Sequence, residues 1–224
     1  PLIWPHTRHL GEDFRELMQF LRLGPESRVL DVGTSACWSS RLMAETQARV
    51  VAIDVVDTPF NGLQTGDIQI EAHGVYFDRV FESMTRLPIA DGSCDHVVCV
   101  ASFHHSPDPV KTLQECSRVL KPGGSVALLH EIVPSLRYML MSVQGTQEHN
   151  QECSSHQDIS PATLERYLKH TDFSMQLILP KRVRRRICQP FPGWLGTKVG
   201  RFLEAFPQLM KHVNSSMILL HKPG

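Results

Sequence analysis

Apolar residues near the start of the chain recur at helical spacing, at Leu10, Phe14, Leu17, Met18 and Leu21. The pattern predicts an amphipathic helix that ends at Gly24-Pro25, because neither residue continues a helix. Short apolar runs follow, separated by loops or by further helical patterns. These runs predict strands at 28–33, 49–56, 79–83, 95–102, 124–132, 173–187 and 215–222, the sixth of them broken at Pro180.

Helical patterns fall between the predicted strands. Helices are expected at 40–47, 109–120, 161–170 and 196–211, with Ser160-Pro161 as the start of the third, and 59–78 is expected to be a loop with one short helix. A strand, a helix and a strand at this spacing form a right-handed βαβ unit. The alternation therefore predicts a single α/β domain in which helices cover both faces of a mostly parallel sheet.

The composition restricts the classes of function. The chain has 224 residues, 42% of them hydrophobic and 21% charged, so it can bury a full core. Its 23 basic and 23 acidic side chains cancel, so no global field draws the chain to nucleic acid or to anionic lipid, and local patches are a separate question. No nucleic-acid partner is expected. We expect no membrane span, which needs roughly 18 apolar residues, and no signal peptide, so the predicted location is cytoplasmic.

The cysteines predict free thiols rather than a disulfide framework. Six are present, none of them in a C-x-x-C pair. His149, Cys153 and His156 come nearest to the spacing of metal ligands. Because no second cluster of ligands accompanies them, we interpret their polar stretch as a loop and predict no metal.

Small residues follow the first predicted strand. That strand ends at Asp31 and Gly33, and residues 34–37 lead into the next helix. Such a turn lets backbone N–H groups approach a ligand closely. The second strand ends at Asp54, roughly 20 residues further on, where an acid can accept hydrogen bonds from both hydroxyls of a ribose. A helix-capping or turn role explains Asp54 equally well from the sequence.

The stretch from Leu87 to Leu129 is the most specific part of the sequence. It contains Leu87-Pro88, then Asp91-Gly92, a buried strand, His104-His105 and the run RVLKPGG at 118–124. This order resembles the second half of the cofactor-binding core in class I S-adenosylmethionine (SAM)-dependent methyltransferases of the small-molecule type, typified by ubiquinone and menaquinone biosynthetic enzymes. The resemblance covers residues 25–132 and, more loosely, 160–179.

The resemblance implies a Rossmann-like class I methyltransferase fold, with a seven-stranded, mostly parallel sheet and an antiparallel last strand. It implies SAM as the cofactor and S-adenosylhomocysteine as its product. It divides the chain into an N-terminal cap helix (1–24), a SAM-binding core (25–132) and an acceptor-side segment with the closing strands (133–224). The implied cofactor-binding residues are Asp31, Gly33, Thr34, Ser35, Cys37, Asp54, Glu82, Ser83, Met84 and Ser102.

The chain departs from the family pattern at two places. Ser35 and Cys37 occupy the second and third glycine positions of Gly-x-Gly-x-Gly, where backbone and cofactor nearly touch. Ser83 stands where the family has an acid that bonds the adenine amine, with Glu82 and Met84 on either side. We expect compensation from Glu82 in a slipped register or from the Ser83 hydroxyl.

The candidate catalytic residues are His105, His104 and Glu131. The resemblance implies that residues 102–105 face the reacting methyl group. Methyl transfer depends mainly on positioning, but an acceptor that carries a proton needs a base, and an imidazole titrates at about pH 6.5. We expect at least one histidine of the pair to have a structural role instead. For Glu131, beside His130 at the end of the fifth strand, a structural hydrogen bond is the alternative.

Two further groups of residues each have two interpretations. The basic run consists of Lys181, Arg182, Arg184, Arg185 and Arg186. It can bind a phosphate or a nucleic-acid backbone, or it can protect an exposed edge strand from aggregation, and we favour the second. The tryptophans can line an acceptor pocket or simply pack against the core or its rim. They are Trp4, Trp38 and Trp194.

The sequence therefore predicts a SAM-dependent methyltransferase with a small-molecule acceptor, covered by the N-terminal helix and residues 133–160. One alternative is a degenerate, non-catalytic methyltransferase-fold module that binds or regulates a partner, which Ser35, Cys37 and Ser83 favour. Another is a dinucleotide-binding oxidoreductase, which the Lys-Pro-Gly-Gly before the fifth strand disfavours.

Overall fold

The computed structural model describes residues 9–131, 159, 161–205 and 217–224, with side chains described up to 202 and from 217 onward. The strands are β1 (Arg28–Val32), β2 (Arg49–Asp54), β3 (Asp78–Phe81), β4 (Cys94–Val100), β5 (Leu120–Leu129), β6 (Ser174–Ile178) and β7 (Met217–His221). The helices are α1 (Leu10–Leu21), α2 (Trp38–Ala44), α3 (Thr65–His73), α4 (Pro109–Val119), α5 (Pro161–Leu168), α6 (Lys181–Cys188) and α7 (Gly193–Ala205). A 3₁₀ turn spans Phe103–His105.

The strands form one sheet in the order β3-β2-β1-β4-β5-β7-β6. The first five pair in parallel, and β7 runs antiparallel to both β5 and β6. The strand order reverses between β1 and β4, and open α/β sheets bind ligands beyond the carboxyl ends of the strands at such a reversal. The predicted Rossmann-like class I methyltransferase fold, with its antiparallel last strand, is confirmed.

Two hydrophobic layers hold the helices on the sheet. On one face, α1 and α2 bury Phe14, Leu17 and Met43 against β1, β2 and β5. On the other face, α4 and α5 bury Leu113 and Leu164. Each fully buried side chain of this size contributes about 1.5–3 kcal/mol. The sheet is therefore covered on both sides, as its nearly continuous apolar strands require.

Arg118 joins the two ends of the stretch that resembles the methyltransferase family, the loop at 87–91 and the run that begins at 118. Its guanidinium donates to the carbonyl oxygens of Leu87 and Ile89, both at 2.7 Å, and to Asp91 Oδ1 at 2.6 Å. Glu115, one helical turn earlier, accepts from Arg118 and from the backbone N–H of Leu87. These bonds raise the pKa of Arg118 and fix the loop that leads from β3 to β4.

The prediction of a strand over 173–187 is wrong in its second half. The strand ends at Ile178, and the basic residues after Pro180 form α6. Val183 and Ile187 lie one helical turn apart and pack with Leu177 and Leu179. The edge-strand interpretation of the arginines is therefore wrong as well.

The tryptophans occupy different environments. Trp38 packs edge-on against Phe14, with ring centroids 5.1 Å apart, so it is part of the core beneath α1. Trp194 lies on α7 and is 67% exposed. Trp4, Ser160 and the suggested ligand pattern at His149 lie outside the described residues.

Candidate active site

The turn after β1 begins with a close approach between strands. Gly33 has φ +71°, and a Cβ at this position would lie 2.5 Å from the Cβ of Ser102, at the end of β4. Ser102 in turn donates through Oγ to the carbonyl oxygen of Val32 at 2.7 Å. Only glycine fits here, and β1 and β4 consequently end side by side.

The two residues that replace family glycines keep the glycine backbone conformation. Ser35 has φ +50° and Cys37 has φ +54°, both in the left-handed region. An L-residue pays about 1–2 kcal/mol for this conformation. The Cys37 side chain is buried in the core beneath α2, whereas Ser35 lines the cavity described below.

Asp31 anchors the turn from behind. Its Oδ2 accepts hydrogen bonds from the hydroxyls of Thr34, Ser39 and Ser40 at 2.9, 2.6 and 2.5 Å. Its Oδ1 is buried, and none of the described residues donates a hydrogen bond to it. Burial raises the pKa of Asp31, and the three hydroxyls oppose that rise without cancelling it. One carboxylate oxygen is thus left with unused capacity as an acceptor.

Asp54 connects the two ends of the parallel strands β1 and β2. Its Oδ2 accepts from the backbone N–H of Ser35 at 2.7 Å, and its Oδ1 accepts from the N–H of Val56 at 2.9 Å. Ser35 Oγ also donates to Asn61 Oδ1 at 2.5 Å. These contacts hold the turn after β1 against the loop after β2.

A cavity of about 610 Å³ opens between these turns, at the carboxyl edge of the sheet. Its size falls within the roughly 300–1,000 Å³ typical of small-molecule sites. Its lining comes from the ends of β1, β2, β3 and β4. The lining residues are Val32, Gly33, Ser35, Asp54, Val55, Val56, Asn61, Glu82, Ser83, Met84, Ala101, Ser102, His105 and Pro107.

The buried carboxylate of Glu131 fixes the backbone of the turn after β4 by hydrogen bonds. Its two carboxylate oxygens accept from the backbone N–H groups of Ser102, Phe103 and His104, at 3.2, 3.1 and 2.9 Å. Oε2 also lies 2.8 Å from His104 Nδ1. His104 is buried, and its ring packs at a tilt of 43° against the ring of His105, with centroids 4.2 Å apart. His105 lines the cavity.

The structure therefore divides the predicted site residues into two groups. Eight line the cavity, namely Gly33, Ser35, Asp54, Glu82, Ser83, Met84, Ser102 and His105. The other five stand behind its wall, namely Asp31, Thr34, Cys37, His104 and Glu131. Glu82 accepts from its neighbour's N–H and from Arg86, which lowers the pKa of its carboxyl.

Sequence reasoning missed the hydroxyls of Ser39 and Ser40 and the amide of Asn61. Hydroxyls near a helix start are common, and nothing in their pattern indicates a shared carboxylate. Asn61 lies in a loop whose closing contact, between Asp57 and Gly62, is a single isolated bridge. No local signal could have identified it.

A second cluster of charged groups lies at the same edge of the sheet. Asp13 of α1 is 1% exposed, and its Oδ2 lies 2.8 Å from His130 Nε2 and 2.9 Å from Arg182 Nη2. Burial alone would raise the pKa of Asp13, but the bonds from His130 and Arg182 outweigh it and lower that pKa. This cluster joins α1, the end of β5 and α6.

The strand order, the turns after β1 and β2 and the cavity at the carboxyl edge are those of the class I methyltransferase fold. Residues 30–128 match the protein family described as "Methyltransferase domain". The predicted resemblance to this family is confirmed over that segment.

A sequence relative is the ubiquinone biosynthesis O-methyltransferase of Saccharophagus degradans. It is 26% identical over 162 residues, which cover 67% of this chain and 65% of the relative. The match thus spans just under two thirds of that protein's length.

Solved structures with the same fold include a SAM-dependent methyltransferase from Aquifex aeolicus. It has a TM-score of 0.62 at 15% identity and covers 98% of this chain and 94% of its own. A second is the phosphoethanolamine N-methyltransferase 2 of Haemonchus contortus, in complex with phosphomonomethylethanolamine and S-adenosylhomocysteine. It has a TM-score of 0.62 at 18% identity and covers 96% of this chain and 53% of its own.

Among the residues that the structure describes, no helix is both long enough and apolar enough to cross a membrane. Five of the described cysteines are free thiols. They are Cys37, Cys94, Cys99, Cys116 and Cys188.

Proposed function

We propose that this chain is a SAM-dependent methyltransferase that acts on a small-molecule acceptor. The observation that carries the proposal is the cavity at the carboxyl edge, where Gly33, Asp54 and His105 meet. The strand order reverses at the same point. Donor recognition and a candidate base thus share one site of suitable size.

The residues present fit the donor. Asp54 uses one acceptor site on each oxygen for a backbone N–H, and a carboxylate has about four such sites, so two remain for ribose hydroxyls. Asp31 stands behind the cavity wall, so it would support the donor through the turn after β1 rather than touch it. When bound, SAM supplies an electrophilic methyl group on its sulfonium.

On the acceptor side, we assign His105 to the acceptor's proton. Its ring borders the cavity, and a positioned imidazole is the most frequent general base in enzymes. We assign His104 and Glu131 to positioning, because Glu131 holds the backbone of residues 102–104 and also contacts the His104 ring, against which His105 packs.

The name of the Saccharophagus relative favours an oxygen acceptor. A hydroxyl of a small aromatic molecule is therefore the first acceptor class to test. We keep the cytoplasm as the proposed location, in keeping with the free thiols. The division into cap helix, SAM-binding core and acceptor-side segment also stays a prediction.

The assay measures S-adenosylhomocysteine formed from SAM with a panel of small hydroxylated aromatic acceptors. We expect turnover by the unaltered chain and a loss of about 10²–10⁴-fold in kcat for His105→Ala, the range typical of a general base. His73→Ala removes an exposed histidine on α3 and serves as the matched control. Equal turnover by His105→Ala and His73→Ala would show that His105 has no role in the reaction.

A further inference from the structure

The connection between β6 and β7 is much longer than these strands need. Antiparallel neighbours can be joined by a two-residue hairpin, yet residues 179–216 intervene and contain α6 and α7. Ile178 pairs with Met217, which also pairs with Leu129 at the end of β5. The insertion therefore leaves the sheet at its carboxyl edge, the edge that holds the cavity.

The insertion concentrates positive charge. Residues 179–202 contain seven lysines and arginines and no aspartate or glutamate, although the whole chain has a net charge of zero. Acids of α1 offset part of this charge, since Asp13 pairs with Arg182 and Glu16 accepts from the backbone N–H of Lys181. Within the described part of the chain, no salt bridge involves Arg185 or Arg186.

Glycines determine which face of α7 turns outward. A Cβ at Gly196 would lie 3.1 Å from the carbonyl oxygen of Cys188, and one at Gly200 would lie 3.6 Å from its sulfur. The glycine stripe therefore packs on α6. At 3.6 residues per turn, the opposite face of α7 carries a mixture of aromatic and cationic side chains. They are Trp194, Lys198, Arg201 and Phe202.

That outward face combines aromatic surface with charge. Trp194 is 67% exposed and Phe202 is 52% exposed. Lys198 Nζ lies 5.3 Å from the centre of the Trp194 ring. Indole rings are enriched at the headgroup level of membranes, and basic side chains beside them are attracted to anionic lipid headgroups. Duplex DNA bound through its phosphates needs the cations and gains little from the exposed indole.

A basic groove adjoins this face. It has a volume of about 770 Å³ and is lined by Arg184, Arg185 and Arg201 together with Cys188 and Phe191. Guanidinium groups bind phosphate in a bidentate manner, and the apolar part of the groove suits the glycerol and acyl region of a lipid. Charge and apolar surface again occur together.

We propose that the α6–α7 surface docks the protein on a bilayer that contains anionic phospholipids. Lys and Arg side chains meet the lipid phosphates, and Trp194 enters the interface among the headgroups. The proposal goes beyond methyl transfer and does not depend on it, because binding to vesicles requires neither SAM nor an acceptor.

The test is co-sedimentation of the purified chain with vesicles of phosphatidylcholine alone or of phosphatidylcholine with phosphatidylglycerol. We expect binding only to the anionic vesicles, and weaker binding as the salt concentration rises. Arg185→Gln combined with Arg186→Gln should weaken binding at least ten-fold, at about five-fold per charge near an anionic surface. The matched control, Arg49→Gln with Lys169→Gln, removes two exposed charges elsewhere and should change binding less than two-fold.

Trp194→Ser distinguishes a bilayer from duplex DNA bound through its phosphates. We expect this variant to lose at least three-fold in binding to anionic vesicles, and all variants to unfold in urea at concentrations close to that of the unaltered chain. Duplex DNA is the competing probe. The proposal is overturned if the chain does not bind anionic vesicles, or if the control pair weakens binding as much as the arginine pair. It is also overturned if duplex DNA displaces the vesicles and Trp194→Ser still binds the vesicles as the unaltered chain does.

Discussion

At the scale of single residues, the site depends on backbone conformations that only some side chains tolerate. Ser35 holds φ +50° at the wall of the cavity, tied by its N–H to Asp54 and by its hydroxyl to Asn61. The sequence identified the loss of a family glycine here, but it could not predict that the turn keeps the glycine conformation. The hydrogen bond from the Ser35 N–H to Asp54 joins the turn after β1 to the end of β2, so it does not follow from local sequence.

Exchanging Ser35 tests this backbone strain. Ser35→Ala and Ser35→Gly both remove the hydroxyl and differ only in the Cβ that the left-handed conformation disfavours. We expect Ser35→Gly to be more stable than Ser35→Ala by about 0.5–1 kcal/mol in urea unfolding.

The matched control is Glu71, an exposed residue of α3. In a helix the order reverses, and Glu71→Gly should be less stable than Glu71→Ala by about 1 kcal/mol. If glycine is the less stable substitution at both positions, Ser35 is not strained.

At the scale of elements, long-range contacts decide the arrangement around the cavity. Glu131 follows β5, yet it organises the turn after β4, and Asp13 of α1 holds the end of β5 and α6. Neither contact follows from local sequence, because their partners lie 27 or more residues away. The strand predicted over the residues of α6 is wrong for a local reason. Val183 stands between arginines, and this alternation mimics a strand although Val183 and Ile187 have helical spacing.

The cluster at Asp13 gives a pH-dependent prediction. Its folded-state pKa lies below the ordinary value of 3.8, so its contribution to stability is present above that pH and is lost as pH falls through the folded pKa. Asp13→Asn should therefore cost about 3 kcal/mol at pH 7, because it breaks a buried ion pair, and progressively less below about pH 4.

Urea unfolding at pH 7, 5 and 3.5 measures this difference. Glu12→Gln, one residue earlier on α1 and 65% exposed at its side chain, is the control and should cost less than about 0.5 kcal/mol at every pH. A cost for Asp13→Asn that grows toward acid pH would contradict the assignment of the cluster.

At the scale of the whole molecule, the sequence predicts the fold class because strands and helices alternate regularly along the chain. Alternating apolar strands and amphipathic helices predict a parallel sheet, and the ends of parallel strands necessarily meet at one edge. The stretch from Leu87 to Leu129 contains the family pattern, and Arg118 supplies a structural reason for its two halves. The acceptor cannot be predicted in this way, because acceptor specificity depends on side chains that do not maintain the fold.

Calorimetric titration with SAM and with S-adenosylhomocysteine tests the central claim most directly. We expect micromolar binding of both by the unaltered chain, and a loss of at least about ten-fold in Asp54→Asn, since a hydrogen bond to a charged group is worth about 1.5–3 kcal/mol. Asp57→Asn, an acid three residues further on that does not line the cavity, should bind as the unaltered chain does. A folded chain that binds neither ligand, or that binds equally well with Asn at position 54, would contradict a donor site in this cavity.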